Sequence, residues 1–379
     1  MFYFYAIIID MLISIKNFIL KNMITVIAFT LAVITIFLVP IDKEYFHYID
    51  YKTISCLFLI SCIIGAFKDI NFFYAVARHI IIKFNTLRKS YIALITITFV
   101  GSMVIANDMA LITFLPLGYL ILKETNNDDK EAFVFIMQNV AANLGGMLTP
   151  FGNPQNLYIY TKYNIDNIHF MKIMLIPFIT AIILLYLSSL FIKNDTLIIK
   201  HQDIKVGSIK ERIYILLFVL AVFIVFRYIP LYIGLIVIPI LILLLDRHAF
   251  KNVDYSLLLT FFFFFIFSSN LSRIESVNVF FSGLLKKNVY FTTLLSCQFM
   301  SNVPTSILLS KFTNDYIPLL YGVNIGGLGT LIASLASLIT FRNYIALNPK
   351  KTGHYLALFT SINIIFITIE SIVVLSILS

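Results

Sequence analysis

The chain has 379 residues, of which 60% are hydrophobic and 12% charged, with a net charge of +9 and a mean hydropathy of +0.94. Soluble domains carry roughly 25% charged residues, so this composition excludes a soluble globular protein and indicates a polytopic membrane protein. No Walker-type phosphate loop, Gly-x-Ser-x-Gly string or His-Glu-x-x-His string occurs in the sequence. We therefore expect no ATP hydrolysis by this chain and disfavour an intramembrane protease or other enzyme.

The basic residues indicate the topology rather than a nucleic-acid partner. If the N-terminus lies in the cytoplasm, the predicted inside segments hold 19 of the 28 lysines and arginines. This distribution agrees with the excess of positive charge on the cytoplasmic side of membrane proteins. We therefore expect a multi-pass protein in the lipid bilayer of the bacterial cytoplasmic membrane, with its N-terminus inside and its C-terminus outside.

The first part of the chain is predicted to contain an interfacial helix, a repeat unit and a connection. Residues 1–23 are expected to form the interfacial helix, residues 24–192 the first repeat, and residues 193–230 a linker and connecting span. Within the first repeat the apolar runs predict spans at about 24–40 and 53–67, an amphipathic stretch at 71–85, a re-entrant hairpin at 91–122, a broken helix at 131–163 and a span at about 168–192.

The second part, residues 231–379, repeats this order. The runs predict spans at about 231–245 and 255–271, an amphipathic stretch at 275–285, a hairpin at 290–310, a broken helix at 315–341 and a last span at 353–378. Cytoplasmic basic residues flank the first hairpin, and outside basic residues flank the second. The prediction is an all-α, inverted-repeat transporter with two re-entrant hairpins, two broken helices and about nine full spans.

Each half carries the same two-part polar interruption. The broken helices contain Asn143-Leu-Gly-Gly-Met-Leu-Thr149 and, 181 residues later, Asn324-Ile-Gly-Gly-Leu-Gly-Thr330. The hairpins contain Ala106-Asn107-Asp108 and Ser301-Asn302-Val303-Pro304 at their centres. Polar breaks at corresponding places in two halves point to a transporter site near the bilayer midplane.

The chemistry of these breaks favours an anion beside a cation. Asn107 and Asn302 are predicted to be helix N-caps, so that both hairpin tips aim free N–H groups at one central region, as suits a carboxylate. Gly145-Gly146 and Gly326-Gly327 are expected to take backbone angles that other residues avoid, which would end each first half-helix and leave carbonyls for a cation. Asn153 is expected to cap the helix that restarts at Pro154.

These residues resemble the ion transporter superfamily, in particular its divalent anion/sodium symporter and citrate transporter-like branch. The resemblance covers nearly the whole chain and rests on the two asparagine tips and the two Asn-x-Gly-Gly-x-x-Thr loops. It implies one sodium ion at the inward tip and first loop, another at the outward tip and second loop, and substrate between them. It also implies a homodimer, by analogy, and no cofactor other than Na⁺ or H⁺ as coupling ion.

The residue pattern and the resemblance together assign two sets of candidate site residues. The predicted substrate contacts are Asn107, Asp108, Asn153, Pro154, Asn302, Pro304, Thr305, Ser334 and Ser337. The predicted cation ligands are Asn107, Asp108, Asn143, Gly145, Thr149, Gly152, Ser301, Asn302, Asn324, Gly326 and Thr330. Asp108 is the one acid in this set, and a carboxylate near the middle of a bilayer is a functional residue by default.

The sequence also departs from the pattern of that branch. Ala106 replaces the first serine of the tip motif, Asp108 and Val303 replace its two threonines, and Ser334-Leu-Ala-Ser337 replaces a proline-rich turn. The Asn-Asp tip is more similar to arsenite efflux permeases of the superfamily, and the Asn-Val-Pro tip to its sodium/proton antiporters. The expected function is secondary active transport of a small anion, a di- or tricarboxylate, coupled to Na⁺ or H⁺ by elevator-type alternating access. The alternatives are metalloid efflux or Na⁺/H⁺ exchange on the same scaffold.

Overall fold

The computed structural model describes residues 22–81, 83–196 and 208–379. Within these ranges the chain is helical, and its only β pairing is an isolated bridge between Thr86 and Thr196. The expected all-α class is therefore confirmed. The predicted interfacial helix at 1–23 lies outside the described residues except for its last two positions.

The helices of the first half begin and end close to the polar and basic residues of the sequence. They are α1 (Met23–Leu38), α2 (Tyr45–Tyr48), α3 (Tyr51–Asp69), α4 (Phe72–Ile81), α5 (Leu87–Ile105), α6 (Asn107–Glu124), α7 (Glu131–Gly145), α8 (Pro154–Lys162), α9 (Asn167–Ser188) and the connecting α10 (Ile209–Val225). The pair α5 and α6 is the first hairpin, and α7 and α8 are the first broken helix.

The second half follows the same order. Its helices are α11 (Leu231–Leu245), α12 (Tyr255–Arg273), α13 (Glu275–Lys287), α14 (Val289–Met300), α15 (Asn302–Leu309), α16 (Tyr316–Ile325), α17 (Leu335–Leu347) and α18 (Thr352–Leu378). The pair α14 and α15 is the second hairpin, and α16 and α17 are the second broken helix.

Short polar residues fix several helix starts. The Asp50 carboxylate accepts the N–H of Thr53 at 3.0 Å at the start of α3. Asp166 accepts two N–H groups at the start of α9, and Ser208 forms a capping box with Glu211 at the start of α10. These side chains satisfy backbone donors that a helix terminus leaves free.

By length and composition, five stretches of the described chain could cross a membrane. They are Tyr51–Asp69, Leu87–Ile105, Asn167–Phe191, Tyr255–Arg273 and Pro349–Leu378. Shorter apolar helices, such as α1 and α11, accompany them. A polytopic membrane protein is thus supported, while the number of full spans and the opposite orientation of the two halves stay predictions.

Helices α1 and α12 lie side by side and run in the same direction. At their first turns the Thr25 hydroxyl lies 2.6 Å from Ser256 Oγ and 2.8 Å from Thr260 Oγ1. At their far ends the Arg273 guanidinium donates to both carboxylate oxygens of Asp42, at 2.6 and 3.1 Å. Helix α12 packs against α15 of the second hairpin. Each hairpin packs on the first helix of the broken helix of its own half.

Candidate functional site

The two hairpin tips have the same unusual backbone. Ala106 and Ser301 join the two helices of their hairpins with φ of 60° and 73°. The predicted N-caps were therefore placed one residue too late, because these two residues take the cap position and Asn107 and Asn302 are the first helical residues. Each asparagine Oδ1 nevertheless accepts the next N–H, at 3.0 Å from Asp108 and at 2.9 Å from Val303.

Asn143 connects the first tip to the first broken helix. Its Oδ1 accepts a hydrogen bond from Asn107 Nδ2 at 3.1 Å, and its own Nδ2 donates to the Asn139 carbonyl at 3.1 Å. The second tip approaches the same place, since a Cβ on Gly327 would lie 2.9 Å from Asn302 Nδ2 and 3.7 Å from Asn143 Oδ1. Both tips and both breaks therefore meet around one buried side chain.

The paired glycines allow close packing rather than unusual backbone angles. Gly145, Gly146 and Gly326 have φ of −63°, −67° and −66°, which any residue adopts. The expectation of special angles was wrong for these three. A Cβ on Gly146 would instead lie 2.5 Å from Asn153 Oδ1, and one on Gly145 would lie 2.8 Å from the Phe99 carbonyl carbon. Only Gly329 among the described glycines has a positive φ, of 110°.

The first loop holds oxygen atoms without a hydrogen-bond partner. Asn153 precedes α8, as expected of a cap, but it is 1% exposed and neither its Oδ1 nor its Nδ2 is bonded within the described chain. Asp108 lies in the first turn of α6, and its Oδ1 is buried without a partner there as well. The Thr149 hydroxyl donates to the Met103 carbonyl at 3.3 Å. Unpaired buried oxygens of this kind call for a ligand.

Most polar side chains of the second loop are bonded within the chain, with Asn324 Oδ1 as an exception in the described residues. Ser334 caps α17, and its hydroxyl lies 3.0 Å from that of Ser337, which accepts from Asn139 Nδ2 at 3.2 Å. Asn324 Nδ2 donates to Asn156 Oδ1 at 2.7 Å, which links the two broken helices. Gln298, which the sequence interpretation missed, donates to carbonyls of this loop.

A cavity of about 100 Å³ lies between the tips. Among the predicted residues its lining includes Asn107, Asp108, Pro154, Ser301, Asn302 and Pro304. Residues that the sequence interpretation did not select also line it, namely Asn22, Thr25, Gln155, Asp254, Ser256, Thr260 and Arg342. Both charged residues lie in segments predicted to be cytoplasmic, where Arg342 was attributed to topology alone and Asp254 was not selected.

Three buried aromatic residues pack together where α8 meets α12. The ring centroids of Tyr158 and Phe265 are 5.4 Å apart, and those of Tyr158 and Phe261 are 6.4 Å apart. The Tyr158 hydroxyl lies 2.8 Å from Ser310 Oγ, which joins α8 to the end of the second hairpin. All three aromatic residues are buried.

A family model described as "Citrate transporter" matches residues 9–315. The chain belongs to the citrate transporter family. It is 41% identical over 305 residues to an uncharacterized transporter of Methanocaldococcus jannaschii, covering 79% of this chain and 82% of that protein. It is 27% identical over 317 residues to the inner membrane protein YbiR of Escherichia coli, covering 81% and 83%. The expected family is therefore confirmed, and the chain is a membrane transporter.

The first loop of this citrate transporter family member suits a small cation. Asp108 and Asn153 provide buried oxygens without partners, and Gly145 ends a helix whose last carbonyls point toward the break. Unwound carbonyls and helix C-termini coordinate Na⁺ or protons in transporters with broken helices. The roles of the individual residues stay predictions.

The remaining predicted residues lie around this centre without lining the cavity. Asn143, Thr149, Gly152, Asn324 and Gly326 belong to the breaks behind the tips, and Thr305 is buried inside α15. Thr330 is bonded to Gln298 through its N–H and its hydroxyl. Ser334 and Ser337 form the bonded pair at the start of α17.

Proposed function

We propose that this chain is a secondary active transporter of a small anion of the di- or tricarboxylate class. The observation that carries the proposal is the meeting of three helix starts, those of α6, α8 and α15, at one small cavity. Helix N-termini present free N–H groups and a positive dipole end, which together favour an anion. Arg342 adds a positive charge to the lining of the cavity.

Na⁺ or H⁺ is the coupling ion in this proposal, with Asp108 as the residue on which coupling depends. The carboxylate lies in the first turn of α6, and one of its oxygens has no bonding partner in the described chain. A buried carboxylate of this kind is costly unless it binds a cation or a proton during the cycle.

Elevator-type alternating access is the mechanism that we propose. The hairpins pack on the broken helices of their own halves, and this arrangement supports their movement as one unit against α1, α3, α11 and α12. We further propose a homodimer in a bacterial cytoplasmic membrane, with the N-terminus inside.

The test is uptake by proteoliposomes that contain the purified chain. Labelled succinate and citrate should accumulate when an inward Na⁺ or H⁺ gradient is imposed, and arsenite should not. Asp108→Asn should abolish coupled uptake, because the asparagine amide neither takes up a proton near neutral pH nor carries a negative charge. Asp129→Asn, which changes an exposed acid that pairs with Lys130, is the matched control and should transport normally. Full ion-dependent uptake by the Asp108→Asn chain contradicts this role.

One observation favours a second candidate, metalloid efflux or Na⁺/H⁺ exchange. Asp254 faces the same cavity as Asp108, and two carboxylates at a site disfavour a multiply charged anion. If the proteoliposomes transport arsenite, metalloid efflux is favoured over carboxylate transport. If protons move along an imposed gradient when no carboxylate is present, Na⁺/H⁺ exchange is favoured instead.

A further inference from the structure

The two loops can be compared position by position, because they make the same hydrogen bond. Thr149 donates its hydroxyl to the carbonyl of Met103, and Thr330 donates its hydroxyl to the carbonyl of Gln298 at 2.9 Å. Met103 and Gln298 each lie three residues before the tip residue with positive φ. They therefore occupy the same place in the two halves.

At this place the second half carries a side-chain amide. Gln298 Nε2 lies 3.1 Å from each of three carbonyl oxygens, those of Leu294, Gly326 and Leu328, and its Oε1 accepts the N–H of Thr330 at 2.9 Å. An amide NH₂ group is a donor with partial positive charge, whereas the Met103 thioether in the first half donates nothing. The carbonyls of Gly326 and Leu328 in the second loop therefore already face a partially positive NH₂ group of the chain itself.

Two further differences between the halves act in the same direction. The first tip has Asp108 where the second has Val303, so that the second tip lacks a carboxylate. Asn153 of the first loop has no bonding partner in the described chain, whereas its counterpart Ser334 accepts the N–H of Ser337 at 3.2 Å. The second loop therefore lacks the carboxylate of the first, and its capping residue is bonded within the chain, although Asn324 Oδ1 there is buried without a hydrogen-bond partner in the described chain.

We infer that the second loop does not bind a cation, and that the chain binds one sodium ion per subunit, in the first loop only. The Gln298 amide is a fixed substitute for the second ion: it holds the carbonyls of Gly326 and Leu328 in place without exchange with solvent. This inference rests on the proposed cation coupling, and it differs from the expectation of a sodium ion in each half.

The decisive experiment measures ²²Na⁺ binding to the purified full chain in detergent, without any transported solute. The wild type should saturate at one ion per chain, and Asp108→Asn should lose that ion. Gln298→Glu keeps the size of the side chain but replaces the donor by an acceptor, which removes this donor from the carbonyls of Gly326 and Leu328. We expect this variant to gain a second bound ion.

The reciprocal variant introduces the amide into the first half. Met103→Gln should weaken binding of the single ion by about 10- to 100-fold, as changes next to a metal site commonly do. Met103→Leu is the size control and should bind as the wild type does. Binding of two ions or none by the wild type overturns the inference, and so does a folded Gln298→Glu chain that still binds one. Sodium binding without uptake of any carboxylate would reject the proposed function and leave the inference standing.

Discussion

Asn143 shows how much one side chain can organise in this site. It is 2% exposed, accepts from the first tip, and lies beside the glycine that the second tip approaches. Buried amides that are fully bonded specify one arrangement of the groups around them, because each alternative leaves a donor or acceptor unpaired. The site geometry is therefore determined by a few amides rather than by charge.

The packing of Gly145 gives a prediction at this scale. Its missing side chain lets α7 approach the backbone of α5, where a Cβ would meet the Phe99 carbonyl. Gly145→Ala should lower the free energy of unfolding by about 1–3 kcal/mol, as overpacking of a dense core does. Thermal unfolding of the purified protein measures the loss.

The control for this prediction is Gly283→Ala. Nothing lies within 4 Å of a Cβ at that position, and alanine favours a helix, so its stability should equal or exceed that of the wild type. If both alanine variants unfold at the wild-type temperature, close packing is not the role of Gly145.

Single residues were the hardest part to predict from the sequence. Asn107, Asp108 and Asn302 were selected correctly as residues at the tips because polar residues interrupt apolar runs there. Gln298 lies in an apolar helix one turn before the tip, and its role depends on carbonyls about 30 residues further along the chain. Arg342 and Asp254 reach the cavity only through tertiary packing. No local sequence pattern therefore distinguishes them from the other charged residues of the predicted cytoplasmic segments.

Helix boundaries could be predicted from the sequence more closely than the roles of single residues. Broken helices, hairpins and amphipathic stretches occur where the apolar runs and the basic residues indicate, because a helix in lipid must satisfy its own backbone groups. The reason for glycine at positions 145 and 326 was predicted wrongly. Close packing and a positive φ both require glycine, so the sequence alone does not distinguish the two reasons.

At the scale of elements, Arg227 attaches the connecting segment to the first half of the chain. Its guanidinium donates to the carbonyls of Tyr160 and Ile165, at 3.0 and 3.3 Å, and lies 4.3 Å from the centre of the Tyr160 ring. Arg227 follows the connecting helix α10, so these bonds attach that helix to the end of the first broken helix.

Arg227→Lys should therefore destabilise the protein by about 1–2 kcal/mol, because lysine cannot donate to two carbonyls while stacking on a ring. Equilibrium unfolding followed by circular dichroism measures this change. Arg212→Lys, an exposed position at the other end of the same helix, should have no effect. An equal loss in both variants would show that the contacts of Arg227 are not the cause.

At the scale of the whole molecule, the predicted inversion of the two halves implies that corresponding loops of the two halves lie on opposite sides of the membrane. Asp129 follows the first hairpin and Asn314 follows the second, at corresponding places and both exposed. If the halves are inverted, a membrane-impermeant maleimide added to intact cells should label Asn314→Cys and spare Asp129→Cys.

The native cysteines Cys56, Cys62 and Cys297 are buried and should not interfere with this labelling. Opening the cells should make Asp129→Cys reactive, which confirms that the variant is folded with its loop accessible. Labelling of both positions from the same side would refute the inversion and with it the topology derived from the basic residues.

The buried layer of Tyr158, Phe261 and Phe265 has a consequence for the kinetics of the molecule. If these rings seal the transport path on one side of the membrane, ions cannot flow through it continuously, and each solute must wait for a change in the shape of the protein. We expect flux that saturates as solute concentration rises, exchange of labelled for unlabelled solute across the bilayer, and no unitary current in a patch. The rate of transport would be limited by the reorientation of the protein rather than by diffusion through an open pore.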